Sequence, residues 1–160
     1  MSYKYKQLKD LAIGRKWERL FCEVTGATQG TFNEDVNHHT DVWLDGHSVD
    51  VKGLKRSHKK GNVLLEFKNV QGKNGWCSPD GADKIAFLFN DGFYVLNTQD
   101  VAKRWSQYVY HNCNGKIDRR NGLCSNRQLY RLVGRKNRKD VFTYITKDDL
   151  LEDEHEFWAT

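Results

Sequence analysis

Asp41, Asp50 and Lys52 stand at a spacing that suits phosphoryl chemistry, in the stretch HTDVWLDGHSVDVKG. Within Asp50-Val51-Lys52, side chains at i and i+2 of a strand point to the same face, so an acid and an ammonium project side by side. A hairpin around Asp45-Gly46 would fold Asp41 back alongside them. The two carboxylates are hard oxygen ligands that suit Mg²⁺ or Mn²⁺, and the backbone carbonyl of Val51 would add another oxygen. Such a cation would polarise a scissile phosphate and lower the pKa of a bound water. Lys52 would orient that water or neutralise charge on the phosphoryl oxygens. An acid-x-lysine triplet is common on surfaces. Here Val49 and Val51 alternate with Asp50 and Lys52, which sends one face into a core and gathers the charged groups on the other. Glu18 adds a further acid, beside Trp17, Leu20 and Phe21 at an apolar boundary.

The elements that would hold these groups follow from periodicity. Residues 4–25 read as a helix, with Leu8, Leu11, Ala12, Trp17, Leu20, Phe21 and Val24 at three- and four-residue spacing, Gly14 as an interruption and Gly26 as the stop. Residues 27–39 read as loop. Residues 42–44 and 48–52 form the hairpin, and 53–61 a basic loop. Strands follow over 63–70, 83–89 and 92–96. Residues 98–109 read as a helix with Thr98 as N-cap, 141–145 as a late strand, and Thr146 opens a short helix. The order predicts one α/β (α+β) domain over residues 1–160, with a mixed central sheet flanked by helices.

The chain has 160 residues, a net charge of +5 and a mean hydropathy of −0.80, polar for a globular protein. Eight Phe, seven Tyr and five Trp can still build a core. No apolar run approaches the roughly 20 residues of a membrane helix, and MSYKYKQLKD lacks a secretory segment. A cytoplasmic, soluble protein with no membrane partner is therefore expected. Cys22, Cys77, Cys113 and Cys124 include no CxxC pair, so free thiols are expected over a zinc knot of Cys113, Cys124 and His111. His38, His39, His47 and His58 read as loop histidines, with His38 and His39 near enough to Asp41 to touch a metal or phosphate.

Charge is segregated along the chain. Lys52–Lys73 holds seven basic residues and one acid, Glu66, whereas 148–160 holds six acids and no Lys or Arg. A basic arm over about 111–139 carries Arg119, Arg120, Arg135, Lys136, Arg138 and Lys139, and an earlier loop carries Lys55, Arg56, Lys59 and Lys60. Clustered Lys and Arg with interleaved aromatics suit a phosphate backbone, so both tracts are expected to grip DNA. The acidic tail reads as a frayed terminus, or else as a nucleic-acid mimic folded over the basic groove.

With these pieces in place, the sequence resembles the PD-(D/E)xK nuclease superfamily, in particular its small phage-type and junction-resolving members. The matching pieces are Glu18 in GRKWERLFCEV, Asp41 in HTDVWLDG and Asp50-Val51-Lys52 in SVDVKG, over roughly residues 10–100 and again at VFTYITKDDL. Thr40 replaces the motif's Pro, and Asp50 its commoner Glu. The resemblance implies a restriction-endonuclease-like core and a Mg²⁺-dependent deoxyribonuclease, an endonuclease with structure selectivity left open. It implies Asp41, Asp50, Lys52 and Glu18 as catalytic residues, and it allows a phage-encoded origin and a homodimer for cutting both strands. A second register takes Asp50 as the first aspartate and Glu66-Phe67-Lys68 as the triplet, with Glu66 and Lys68 on one strand face. The alternative class is a DNA-binding or host-interaction protein of weak or no activity on the same fold.

Overall fold

Residues 3–121 and 129–160 are described by a computed structural model. The first helix, α1 (Tyr3–Thr25), runs through Gly14 without a break. It buries Phe21 fully and Trp17, Leu20 and Val24 in part, one stripe at helical spacing. Gly26 ends it at φ +77°, and its N–H donates to Cys22 O at 2.9 Å.

The segment expected as loop instead holds β1 (Thr28–Gln29) and α2 (Phe32–His38). A capping box starts α2. Thr31 Oγ1 accepts from Glu34 N–H at 3.2 Å, and Glu34 Oε2 accepts from Thr31 N–H at 2.7 Å. TFNE carries that signature in the sequence. Next come β2 (Val42–Leu44) and β3 (His47–Lys52), joined as expected at Asp45-Gly46, where both residues have positive φ.

The basic loop contains a short helix, α3 (Arg56–Lys59), and leads into β4 (Asn62–Lys68). The strands β5 (Lys84–Phe89) and β6 (Gly92–Asn97) precede α4 (Thr98–Asn112). The N-cap of α4 is Asn97, whose side chain accepts from Asp100 N–H; Thr98 is the first helical residue and fully buried. The chain continues through β7 (Asp118–Arg120), β8 (Val133–Arg135), β9 (Val141–Thr146), α5 (Lys147–Leu150) and β10 (His155–Ala159).

Among the described residues the protein is mixed α/β, with five helices and two mixed sheets. The first sheet has the order β1-β2-β3-β5-β6-β10, and only its β3–β5 pair is parallel. The second has the order β4-β9-β8-β7, with β7–β8 parallel. Two sheets replace the single central sheet expected. The strand β4 pairs with β9 instead of joining the hairpin before it. Its buried Val63 and Leu65 pack face-on against Ile85, Phe87 and Phe89 of β5, in a core completed by Trp76, Val101 and Trp105. On the opposite face of the first sheet, Val49, Ala86, Leu88 and Phe93 pack against α1.

The acidic terminus is neither frayed nor folded over a basic groove. Strand β10 pairs with β6 from His155↔Leu96 to Ala159↔Gly92, and Trp158 packs into the α1 side of the core. Asp153 pairs with Arg104 and accepts from Trp105 Nε1, so two of the tail's acids, Glu152 and Asp153, anchor it to α4. No helix among the described residues is long and apolar enough to cross a membrane.

Candidate active site

The hairpin β2–β3 places Asp41 just before its first strand and Asp50 to Lys52 at the end of its second. The carboxylate of Asp41 accepts the Val51 backbone N–H at 2.7 Å, and Asp41 N–H donates to Val49 O at 3.0 Å. Asp41 thus prolongs the hairpin ladder with its side chain. Carbonyls of residues i and i+2 in a strand point to the same edge, so the Val51 carbonyl is directed toward the Asp41 side, as Val49's is.

Asp50 is 3 % exposed, and its Oδ1 accepts from Lys52 Nζ at 2.7 Å. Lys52 Nζ also lies 4.6 Å from the centroid of the Trp76 ring, an electrostatic contact that strengthens where water is excluded. As the alternation predicts, Val49 and Val51 pack toward α1. The face with Asp50 and Lys52 is not open, however. It is roofed by Trp76 and the loop after β4, which the periodicity of β3 alone does not reveal.

The two aspartates repel each other. Burial, and then the charge of Asp50, raises the Asp41 pKa, while the Val51 N–H and Lys52 act in the opposite direction. Burial likewise raises Glu18, against the hydrogen bond from Gln29; Asp35 and Asp50 add like charge. Gln29 is the linking residue. Its Nε2 donates to Glu18 Oε2 at 2.6 Å and to Asp41 O at 3.2 Å, tying α1 to the strand that carries Asp41. Gln29 sits in a two-residue strand with no periodic signal, so its sequence context gives nothing to find it by.

Gly53, directly after Lys52, is also required. A Cβ there would lie 2.0 Å from Trp17 Cδ1, so only glycine lets the indole of α1 close over the end of β3. This contact seats α1, and Glu18 with it, against the acidic pair.

The second register separates. A bulge falls between Glu66 and Lys68, which pair with the neighbouring residues Phe142 and Val141 of β9. Adjacent residues of a strand face opposite ways, so Glu66 and Lys68 do too, and the expected shared face is absent. Lys68 Nζ donates to Asn74. Glu66 stays within electrostatic reach of Lys52, His39 and Lys55; burial raises its pKa and those cations oppose the rise.

Lys55 also borders the cluster. Part of it is open to water, yet burial of its ammonium end, and then the Lys52 charge, lower its pKa. Arg56, Lys59 and Lys60 are exposed around α3. His58 is 5 % exposed and belongs to the core rather than to a loop; its Nδ1 donates to Leu88 O at 2.9 Å.

The basic arm divides. Arg119 and Arg135 close on buried Asp140, Arg135 through Nε to Oδ2 at 2.7 Å and Arg119 through Nη1 to Asp140 O at 2.6 Å. Arg120 pairs with Asp118 at 2.8 Å. Arg119 and Arg135 hold β7 and β8 to the start of β9, whereas the Arg120 pair stays within β7. Lys136, Arg138 and Lys139 are exposed on the β8–β9 turn. Cys124 and Arg127 lie outside the described residues. Cys22, Cys77 and Cys113 are free thiols.

Asp41, Asp50 and the Val51 carbonyl form a hard-oxygen donor set. Mg²⁺ is commonly bound through one or two carboxylates together with waters and substrate phosphate, and this pair fits that mode. A cation would also relieve the repulsion that raises Asp41. Among the described residues, no group of three or more His, Cys, Asp or Glu side chains is arranged to hold a metal. Glu18 therefore stands beside the pair rather than completing a three-residue cage. A cleft of about 930 Å³ opens between α1, β1 and α2, with Glu18, Gln29 and Asp41 among its walls.

Comparison with protein-family models, with curated proteins and with solved structures yields no match for this chain.

Proposed function

We propose that this protein is a divalent-metal-dependent nuclease that hydrolyses phosphodiester bonds in DNA, an endonuclease on a restriction-endonuclease-like core. The observation that carries the reading is the joint geometry of three residues. The Asp41 carboxylate is fixed on the Val51 N–H at 2.7 Å, and Lys52 is fixed on Asp50 at 2.7 Å. Two acids and an ammonium are thereby pre-positioned at the carboxyl end of β3, where open α/β sheets commonly bind ligands.

Asp41 and Asp50, with the Val51 carbonyl, would hold Mg²⁺ or Mn²⁺, which supplies Lewis-acid chemistry at the phosphate. Lys52 neutralises charge that develops on the phosphoryl oxygens, and its pairing with Asp50 and Trp76 keeps it aimed with little reorganisation. Glu18, held by Gln29, is the group at the cleft wall able to carry a proton near the reacting phosphate. The exposed Lys136, Arg138 and Lys139, with Lys55, Arg56, Lys59 and Lys60, bind backbone phosphates and set position rather than sequence. A cytoplasmic, phage-type setting and a homodimer for double-strand cleavage accompany this reading.

The test is incubation with supercoiled, linear, single-stranded and branched DNA in Mg²⁺, Mn²⁺ or EDTA. Cleavage is expected with metal and not in EDTA. Asp50→Asn should abolish it with circular dichroism unchanged, and Lys52→Ala should lower turnover by orders of magnitude with DNA affinity nearly kept. Undiminished cleavage by Asp50→Asn would refute the assignment. A second reading, a DNA-binding or host-interaction protein of weak or no activity, is favoured by one observation, that Asp50 is 3 % exposed and already held by Lys52 at 2.7 Å. It predicts salt-sensitive DNA binding with weak or no cleavage in any metal.

A further inference from the structure

The cleft beside the acidic pair has a composition that a phosphodiesterase site alone does not require. Phe32 is 73 % exposed although it opens a capped helix, and Leu11 is 53 % exposed on the facing wall. Both line the cleft, together with Arg15, Arg19 and Asp35. Gly14 lines it as well, and a Cβ there would meet nothing within 4 Å, so the α1 wall is recessed where a side chain could have filled it. The capping box of Thr31 and Glu34 fixes the backbone at Phe32. The ring is therefore presented to solvent on a rigid support. A single exposed ring is ordinary on a protein surface; Phe32 and Leu11 differ in lining one concave cleft together, an apolar patch of the kind that takes a ligand.

We infer that this cleft takes an unpaired nucleotide, its base stacked on Phe32 and its phosphates running toward Arg15 and Arg19, so that the substrate is DNA with a single-stranded segment beside the scissile bond. The inference rests on the nuclease reading for its last clause and on the cleft alone for the rest. A volume of about 930 Å³ lies among pockets that enclose ligands of small-molecule size. A nucleotide or two is of that size, and a duplex is not. Base–aromatic stacking tolerates any base, because every base has a π-face. Arg15 and Arg19 lie one helical turn apart on α1 and flank Glu18, so a strand following them would be led to the acidic pair. Asp35 offers an acceptor for the exocyclic amino group of cytosine or adenine. Arg15 and Arg19 are the only cations among the described residues that line the cleft, so the backbone runs along them, past Asp10 and Glu18 on the same helix, while Asp35 and Asp41 stand on the other wall.

The experiment measures binding of a single-stranded oligonucleotide carrying 2-aminopurine, and of its matched duplex, in EDTA. Wild type should prefer the single strand and change the 2-aminopurine emission on stacking. Phe32→Ala should weaken single-strand binding by roughly 5- to 150-fold, the range of base–aromatic stacking, and abolish the emission change. Phe157→Ala, an exposed aromatic on another face, should do neither. Arg15→Gln with Arg19→Gln should lower the salt slope for single strands by up to roughly 0.7 per lost phosphate contact. Wild-type preference for matched duplex, or unchanged binding and emission in Phe32→Ala, overturns the inference. The two readings fail separately. Phe32-dependent binding without cleavage in any metal sinks the nuclease and leaves the cleft, whereas metal-dependent cleavage with Phe32→Ala binding like wild type sinks the cleft alone.

Discussion

His58 is the side chain through which acid should loosen the basic turn beside the candidate site. It is the buried residue of α3, whose exposed residues include Arg56 and Lys59, and its ring packs near Phe87 and Phe89 at 6.1 and 5.1 Å. Burial lowers its pKa to about 4, against the pull of the Leu88 carbonyl and with a small push from Lys55. The unfolded chain takes up this proton near pH 6.5 and the folded one only near 4, so stability is full above 6.5 and is lost as pH falls toward 4. Two and a half pKa units at 1.36 kcal/mol each make that loss about 3 kcal/mol, a large share of the roughly 5–15 kcal/mol that holds a domain folded. Urea unfolding followed by tryptophan fluorescence at pH 7.0, 5.5 and 4.5 measures it. His58→Asn keeps a donor near the Nδ1 position and removes the titration. It should be less stable at pH 7, because the ring packing is lost, and should fall less on acidification, by about 2 kcal/mol between pH 7.0 and 4.5. Other groups titrate alike in both proteins, so the difference between the profiles isolates His58. Parallel profiles would refute the argument.

Four further outcomes follow from the same contacts. Asp41→Asn removes one of two repelling charges and keeps an acceptor for Val51 N–H; in EDTA it should raise Tm at pH 7, and the wild-type decline in stability as pH rises from the carboxylate range should flatten, as differential scanning calorimetry would read. Gly53→Ala drives a Cβ into Trp17 and should cost about 1–3 kcal/mol by overpacking; Gly53→Ala with Trp17→Leu should recover part of it in urea melts. Asp140→Ala removes the carboxylate that Arg135 binds and the ion pair of Arg119, whose hydrogen bond to the residue-140 carbonyl stays; it should cost about 1–3 kcal/mol, below the roughly 3–5 of a fully buried pair because both arginines are partly solvated, and equilibrium unfolding checks it. Neutralising Lys136, Arg138 and Lys139 should weaken binding to all duplex sequences alike and shrink the salt slope by up to roughly 0.9 per lost contact, whereas Arg120→Gln should change the slope little.

Local order was legible where one residue type has one physical reason to be present. Asp45-Gly46 specifies a tight turn, Gly26 a helix stop, and the Val49/Val51 alternation a strand whose valine face meets a core, though not the roof over its other face. The helix α2 falls in a segment read as loop, although Thr31 and Glu34 stand at capping-box spacing; the surrounding histidines and glycines masked that signal. The division into two sheets was not readable. Whether β4 extends the hairpin edge-on or stacks on it face-on depends on which strand takes the hydrogen-bonding edge of β4. That partner, β9, begins 73 residues after β4 ends. The tail misled for a related reason, because its acids suggest solvation while Trp158 and the β6 ladder decide its place.

The same separation explains what composition could not say about the basic arm. Ten Lys and Arg between Arg104 and Asp140 read as one field, but a buried carboxylate changes what an arginine is for. Asp140 is 1 % exposed, and burying its charge unpaired would cost several kcal/mol. Arg119 and Arg135 are therefore held to the fold before any ligand arrives. At Asp50, equally buried, the partner is Lys52, a single-point cation on a flexible stem, where Asp140 has planar guanidinium groups from two strands. One ammonium leaves oxygen lone pairs on Asp50 and acts on Asp41 only through space, while the Asp41 carboxylate accepts the Val51 backbone N–H. A buried acid with two arginines is closed electrostatically. A pair of acids sharing one lysine is short of positive charge, and that shortage is what the proposed cation would relieve.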